Sequence, residues 1–263
     1  MILAFPAAAI AEPEPSVPKP PAPGLELAFS DEFDGETLSP RWATTFPDGK
    51  RSLDKESQSY MDRDAPTRPF RLSDGILSVT ATRVAEGDGP GTYASGLLSS
   101  FGSYGFTYGY VEARVRIPSG HGLWPAFWLF RDDGLKEGAP YGEIDIMEIL
   151  AGTPDTAYAT LHAGPQWEGR RIAQAKAVAD EPYSDAFHVF AVDWGERETV
   201  FLIDGKETAR FQTPPEAKAD MHILLNLAVG GPWGGPPDET TPASASMQVD
   251  WVRVWKRPDA EPR

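Results

Sequence analysis

Glu143-Ile-Asp-Ile-Met-Glu148 constrains the fold of this chain more than any other stretch of its sequence. Three acids at i, i+2 and i+5 are set in an apolar run with strand character. Successive side chains of a β-strand point to opposite faces, so Glu143 and Asp145 share one face while Ile144 and Ile146 occupy the other. Strict alternation would leave Met147 beside the acids and send Glu148 into the core. One extra residue, taken up as a β-bulge, returns Glu148 to the acidic face, and bulges re-aim side chains in this way beside functional sites.

A lone Glu-x-Asp pair reads equally well as a solvated strand face or a structural ion pair. The segment just upstream argues against that here. Gly122-Leu-Trp-Pro-Ala-Phe-Trp-Leu-Phe130 places Trp124, Ala126, Trp128 and Phe130 on one face by the same alternation. An aromatic stripe alone is as readily core as cleft. Beside three carboxylates it suits sugar rings, whose C–H faces stack on aromatics while their hydroxyls seek polar partners.

These segments, in their order along the chain, resemble glycoside hydrolase family 16, the β-jelly-roll endo-glucanases and endo-galactanases. The resemblance runs through Phe29-Ser-Asp-Glu-Phe-Asp-Gly35, Tyr93-Ala-Ser-Gly-Leu-Leu-Ser-Ser100 and Tyr108-Gly-Tyr-Val-Glu-Ala-Arg114. It continues through the Trp124 segment, the acids, Leu161-His162, Leu225-Asn-Leu-Ala-Val-Gly-Gly-Pro-Trp233 and Val249-Asp-Trp-Val-Arg-Val254, and so covers roughly residues 25 to 256. It implies an all-β chain, a single-domain antiparallel β-sandwich (a concanavalin-like jelly roll) with a concave substrate cleft. It also implies a retaining endo-β-glucanase, with Glu143 as nucleophile, Glu148 as general acid/base and Asp145 between them. The chemistry agrees. A nucleophilic carboxylate must be ionised and an acid must hold its proton, so the two pKa values must be pushed apart. Glu Cα atoms about four strand steps apart lie roughly 13 Å from each other. Side chains leaning together bring the carboxyls to roughly 5–6 Å, the separation of a two-displacement glycosidase. The bulge matches the family branch that holds laminarinases and most galactanases.

The resemblance also implies that Trp124, Trp128, Tyr141, His162, Asn226 and Trp233 contact sugars, with His162 near the acid/base and Tyr141 closing the site beside Glu143. It implies no cofactor for catalysis and a structural calcium held by Glu32, Gly75 and Asp250, oxygen donors of the kind Ca²⁺ prefers. The plain alternative is that Asp250 is a surface strand residue. Asp185, Asp193 and Asp204 read as turn or surface acids. The chain departs from the laminarinase pattern at Lys55, at Leu97 and in Gly138-Ala-Pro-Tyr141. Ala151–Tyr158 and Pro232–Asp238 look closer to bacterial exopolysaccharide-type and mixed-linkage glycanases of the same family.

With 263 residues, 41% of them hydrophobic, the chain is long enough for one large all-β domain. Gly109–Ile117 and Phe187–Trp194 alternate as half-buried strands, and Asp204-Gly205 marks a hairpin turn. Only Pro215–Asp220 carries a helix signal. Residues 1–24 read as a remnant signal peptide, with Ala9-Ile10-Ala11 as its cleavage pattern, followed by a proline-rich linker. Residues 25–258 then form the catalytic domain and 259–263 a tail. The absence of cysteine rules out a disulfide framework and fits a secreted or periplasmic bacterial protein. A net charge of −15 without a basic stripe disfavours nucleic acid, and no apolar run is long enough for a membrane span. The expected partner is a β-glucan, β-1,3 or mixed β-1,3-1,4 linked, met by a monomer. A galactan-active hydrolase, a transglycosylase and a non-catalytic glucan-binding jelly roll remain as alternatives.

Overall fold

The computed structural model describes residues 18–53, 55–84, 92–165 and 170–258. The signal-peptide stretch, the first part of the linker and the 259–263 tail lie outside the described residues.

Two stacked sheets hold the sixteen strands found among the described residues, numbered here in chain order. The smaller sheet runs β11 (Arg170–Val178), β10 (Thr156–Gly164), β9 (Tyr141–Ile149), β8 (Leu123–Arg131), β15 (Met221–Val229) and β6 (Leu97–Ser99), with antiparallel neighbours. The larger sheet runs β14 (Lys206–Gln212), β13 (Glu198–Ile203), β12 (His188–Trp194), β7 (Gly109–Arg116), β16 (Ser244–Lys256), β4 (Ile76–Arg83), β5 (Tyr93–Ser95) and β2 (Gln58–Tyr60). Two further strands join that sheet, β1 (Glu26–Asp31) on β16 and β3 (Phe70–Ser73) on β4.

Period-two patterning fills the space between the sheets. From the small sheet Phe127, Leu129, Ile144, Met147 and Leu161 turn inward, meeting Leu77, Val79, Val111, Val115 and Val249 of the large one, all fully buried. The opposite face of the small sheet then carries Trp124, Ala126, Trp128, Phe130 and the acids, as expected for a strand with one face on the core. The Asp204-Gly205 hairpin forms with φ of 50° and 74°, the paired positive values of the turn that matches strand twist.

Helix is scarce. The Pro215–Asp220 signal becomes one 3₁₀ turn, Pro215–Ala217. A single α-turn, Gly231–Gly234, was not expected; a Gly-Pro-Trp-Gly run carries no helical periodicity. It stands where β15 ends and aims Trp233 back over the small sheet.

The calcium expectation finds its residues otherwise engaged. Arg114 donates to the Asp250 carboxylate, and Arg253 forks onto both Glu32 oxygens at 2.7 and 3.0 Å. Gly75 occupies the β3–β4 turn at φ +72°. The Asp250 carboxylate thus faces a guanidinium, while the backbone carbonyls expected from Glu32 and Gly75 are not the atoms these side-chain contacts engage.

Candidate active site

The bulge is where the sequence puts it. Along β9, Phe127 pairs with Met147 and Trp128 with Asp145; along β10, Tyr158 pairs with Glu148 and Thr160 with Asp145. One residue is extra between Asp145 and Glu148. Ile146 and Met147 are both in the core, and Glu148 emerges on the face of Glu143 and Asp145. The three acids line one groove of about 350 Å³, and all six residues expected to contact sugar line it too.

Each carboxylate has its own holder. The Tyr141 hydroxyl donates to Glu143 Oε2 at 2.6 Å. The Trp124 indole N–H donates to Glu148 Oε1 at 3.1 Å, and the Thr160 hydroxyl reaches Glu148 Oε2 at 3.4 Å, itself receiving from Gln174 at 3.1 Å. His162 pairs opposite Glu143, and its Nε2 lies 3.3 Å from Asp145 Oδ2 and 3.8 Å from Glu143 Oε1. It makes no ion-pair contact with Glu148 among the described residues. Cross-strand register thus brings His162 closest to Asp145 and Glu143, while its charge also acts on Glu148.

Burial dominates the electrostatics. Glu148 is 8% exposed and Asp145 4% exposed. Desolvation lifts the Glu148 pKa well above the usual carboxylate range, and the charges of Asp145 and Glu143 push it further, against His162 and the Trp124 N–H. Asp145 is raised to about 8 by its burial, opposed by its hydrogen bond with Glu143 and by the Arg171 guanidinium. Oδ2 of Asp145 finds no N–H or O–H donor among the described residues. Burial thus holds Asp145 toward its protonated form.

Aromatics build the walls. Trp233 packs edge-on against Trp124 at 5.1 Å and against Tyr158 at 4.9 Å. Trp128 donates to Asn226 Oδ1 at 2.8 Å, and Asn226 Nδ2 donates to the buried Tyr60 hydroxyl at 2.9 Å. Asn226 is thus first a brace between two wall aromatics, with one amide N–H left toward the groove.

Several lining residues were not singled out from the sequence as site residues: Phe46, Asp48, Glu56, Tyr60 and Arg171, and Phe130, which was placed on the aromatic face but not counted as a sugar contact. Phe130 shared the alternation of Trp124 and could have been included. Phe46, Asp48 and Glu56 belong to loops or isolated bridges without periodicity. Arg171 reaches the groove through a second register slip, with Leu161 on Ala173 but His162 on Arg171.

The fold and this groove define a two-sheet β-sandwich glycosidase with paired carboxylates on a bulged strand. Residues 52–253 match the family model "Glycosyl hydrolases family 16", and the chain belongs to that family. It is 36% identical over 251 residues to an endo-1,3-1,4-beta-glycanase, EglC, of Rhizobium meliloti, covering 88% of this chain and 52% of that protein. To a beta-glucanase of Rhodothermus marinus it is 32% identical, covering 89% and 86%. Among solved structures, the laminarinase catalytic domain of Thermotoga maritima superposes with a TM-score of 0.78 at 30% identity, covering 90% of this chain and 99% of that one. The chain spans about half the length of the two Rhizobium meliloti glycanases it matches.

Proposed function

We propose that this chain is an endo-β-glucanase that cleaves internal β-1,3 or mixed β-1,3-1,4 bonds with retention of anomeric configuration, and that residues 25–258 are its catalytic unit. Glu143 attacks the anomeric carbon while Glu148 gives its proton to the departing glycosidic oxygen. Water, losing a proton to Glu148, then adds to the same carbon and frees Glu143. Asp145, lifted toward its protonated form by burial, stands beside Glu143 and helps to hold its orientation. Trp124, Trp128 and Trp233 form the stacking surfaces, and Tyr141 holds Glu143 in line. No cofactor takes part.

The observation that carries this reading is the raised pKa of Glu148 beside Glu143 and Asp145, in a groove walled with aromatics. Two neighbouring carboxyls in different protonation states are what an acid and a nucleophile require. Relatives that are an endo-1,3-1,4-beta-glycanase and a non-specific endo-beta-1,3(4)-glucanase support the choice of glucan. The reading takes the protein to act as a monomer. A glucan polymer is too large to cross a membrane, which supports a secreted or periplasmic protein. Among the described residues no helix is long and apolar enough to cross one. A structural calcium at Glu32, Gly75 and Asp250 would have to displace Arg114.

The test is reducing-sugar release from laminarin, barley mixed-linkage glucan, agarose and carrageenan, with NMR of the first products. Release from the glucans with the β-anomer first is expected, and Glu143→Gln and Glu148→Gln should lose at least roughly a thousandfold in rate while staying folded. Binding without release would make the protein a glucan-recognition module; an inverted first anomer would refute the two displacements.

A further inference from the structure

The register that sets His162 opposite Glu143 does more than hold a nucleophile. Glu143 and Asp145 stand two residues apart on one strand face, and His162 meets both from the neighbouring strand. One ligand atom from each lies within 4.8 Å of the others. Asp145 is 4% exposed, and its Oδ2, facing the ring nitrogen of His162 at 3.3 Å, has no hydrogen-bond donor among the described residues. A buried acceptor left without a donor is uncommon and costly. A cation in the space before it would satisfy that oxygen.

The dimensions suit one class of ion. Tetrahedral zinc, with bonds of about 2.0–2.2 Å, holds its ligand atoms about 3.4 Å apart. The Asp145–His162 edge at 3.3 Å already has that length, and the Glu143–His162 edge at 3.8 Å needs to close by a few tenths of an ångström. An imidazole with two carboxylates favours zinc-like ions over calcium or magnesium. Glu143 Oε2 would keep its bond from Tyr141, an outer-shell donor of the kind that orients metal-bound carboxylates. The fourth position faces the groove and water.

We propose that Glu143, Asp145 and His162 bind one divalent transition-metal ion of the zinc class and that its binding stops glycosidic cleavage. The binding follows from the geometry alone. The inhibition rests on the reading of Glu143 as nucleophile, because a metal-bound carboxylate has lost the lone pair needed to attack the sugar.

Chelator-treated protein is titrated with zinc alone in a calorimeter, and glucan hydrolysis is followed over the same zinc series. The expected result is one ion per chain, a rate falling at least about tenfold at saturation and restored by EDTA, and a zinc-dependent rise in Tm. His162→Gln and Asp145→Asn, checked for folding by circular dichroism, should each weaken zinc at least about tenfold. His188→Asn, which removes the His188–Asp204 contact at 2.8 Å, should leave zinc binding unchanged. Absence of saturable zinc binding to the wild type, or equal binding by both site variants, overturns the proposal. Full hydrolysis with zinc bound overturns its inhibitory half. Failure of the chelated wild type to cleave any glucan counts against the proposed function and leaves the binding result standing.

Discussion

Asp145→Asn should make the protein more tolerant of alkali, by an amount set by the burial of one carboxyl. In the unfolded chain Asp145 ionises near 3.8, and in the folded protein near 8. The sign follows directly. Below 3.8 both states are protonated and nothing is lost. Between the two values the folded state holds a proton that the unfolded state has released, so stability falls as pH rises. The slope is about 1.4 kcal/mol per pH unit for one such proton. From pH 5 to 7 the wild type should therefore lose on the order of 3 kcal/mol relative to Asp145→Asn, and the gap should stop widening above pH 8. Urea unfolding at half-unit pH steps, with chelator present throughout, measures it. The changing difference between the two curves matters, not its absolute size, because the amide also alters local hydrogen bonds by an amount that does not vary with pH. Parallel curves from pH 5 to 7 would refute the reasoning: Asp145 would then be ionised in the folded state.

Trp124→Phe removes the N–H that favours the charged form of Glu148, so the Glu148 pKa should climb and the alkaline limb of kcat/KM should move to higher pH; an unmoved limb would mean that this bond does not tune the acid. Trp128→Phe leaves the buried Asn226 Oδ1 without its donor and should cost about 1–3 kcal/mol in urea unfolding, beyond any effect on KM. Trp233→Ala should raise KM on glucan with little loss of stability, since the ring is half-buried on a single helical turn, and an unchanged KM would place the sugar elsewhere. Thermal melts in EDTA and in added Ca²⁺ should coincide, because Arg114 already faces the Asp250 carboxylate; a calcium-dependent rise in Tm would put the ion there after all.

What could be read from the sequence was what depends on period two. Alternation along β8 and β9 assigned Ile144 and Phe127 to the core and Trp124, Trp128, Glu143 and Asp145 to the groove, and the single failure of alternation, at Met147, was itself the signal for the bulge. His162 was legible as a residue but not as a partner. Its neighbour is fixed by register between β9 and β10, and a register is a property of two strands that neither one carries alone. Arg171 was invisible for the same reason, reaching the groove only because β10 and β11 slip by one residue. Phe46, Asp48 and Glu56 arrive on irregular backbone, where no period exists to read. Asp250 shows the same dependence on pairing from the other side. Its resemblance to a ligand position was sound as sequence, but Arg114 lies across from the bulge between Val249 and Trp251, and that pairing put a guanidinium where a cation was expected. For His162 and Asp250 the sequence named the functional group, and cross-strand pairing, which forms only when the sheet assembles, decided which charge that group would face.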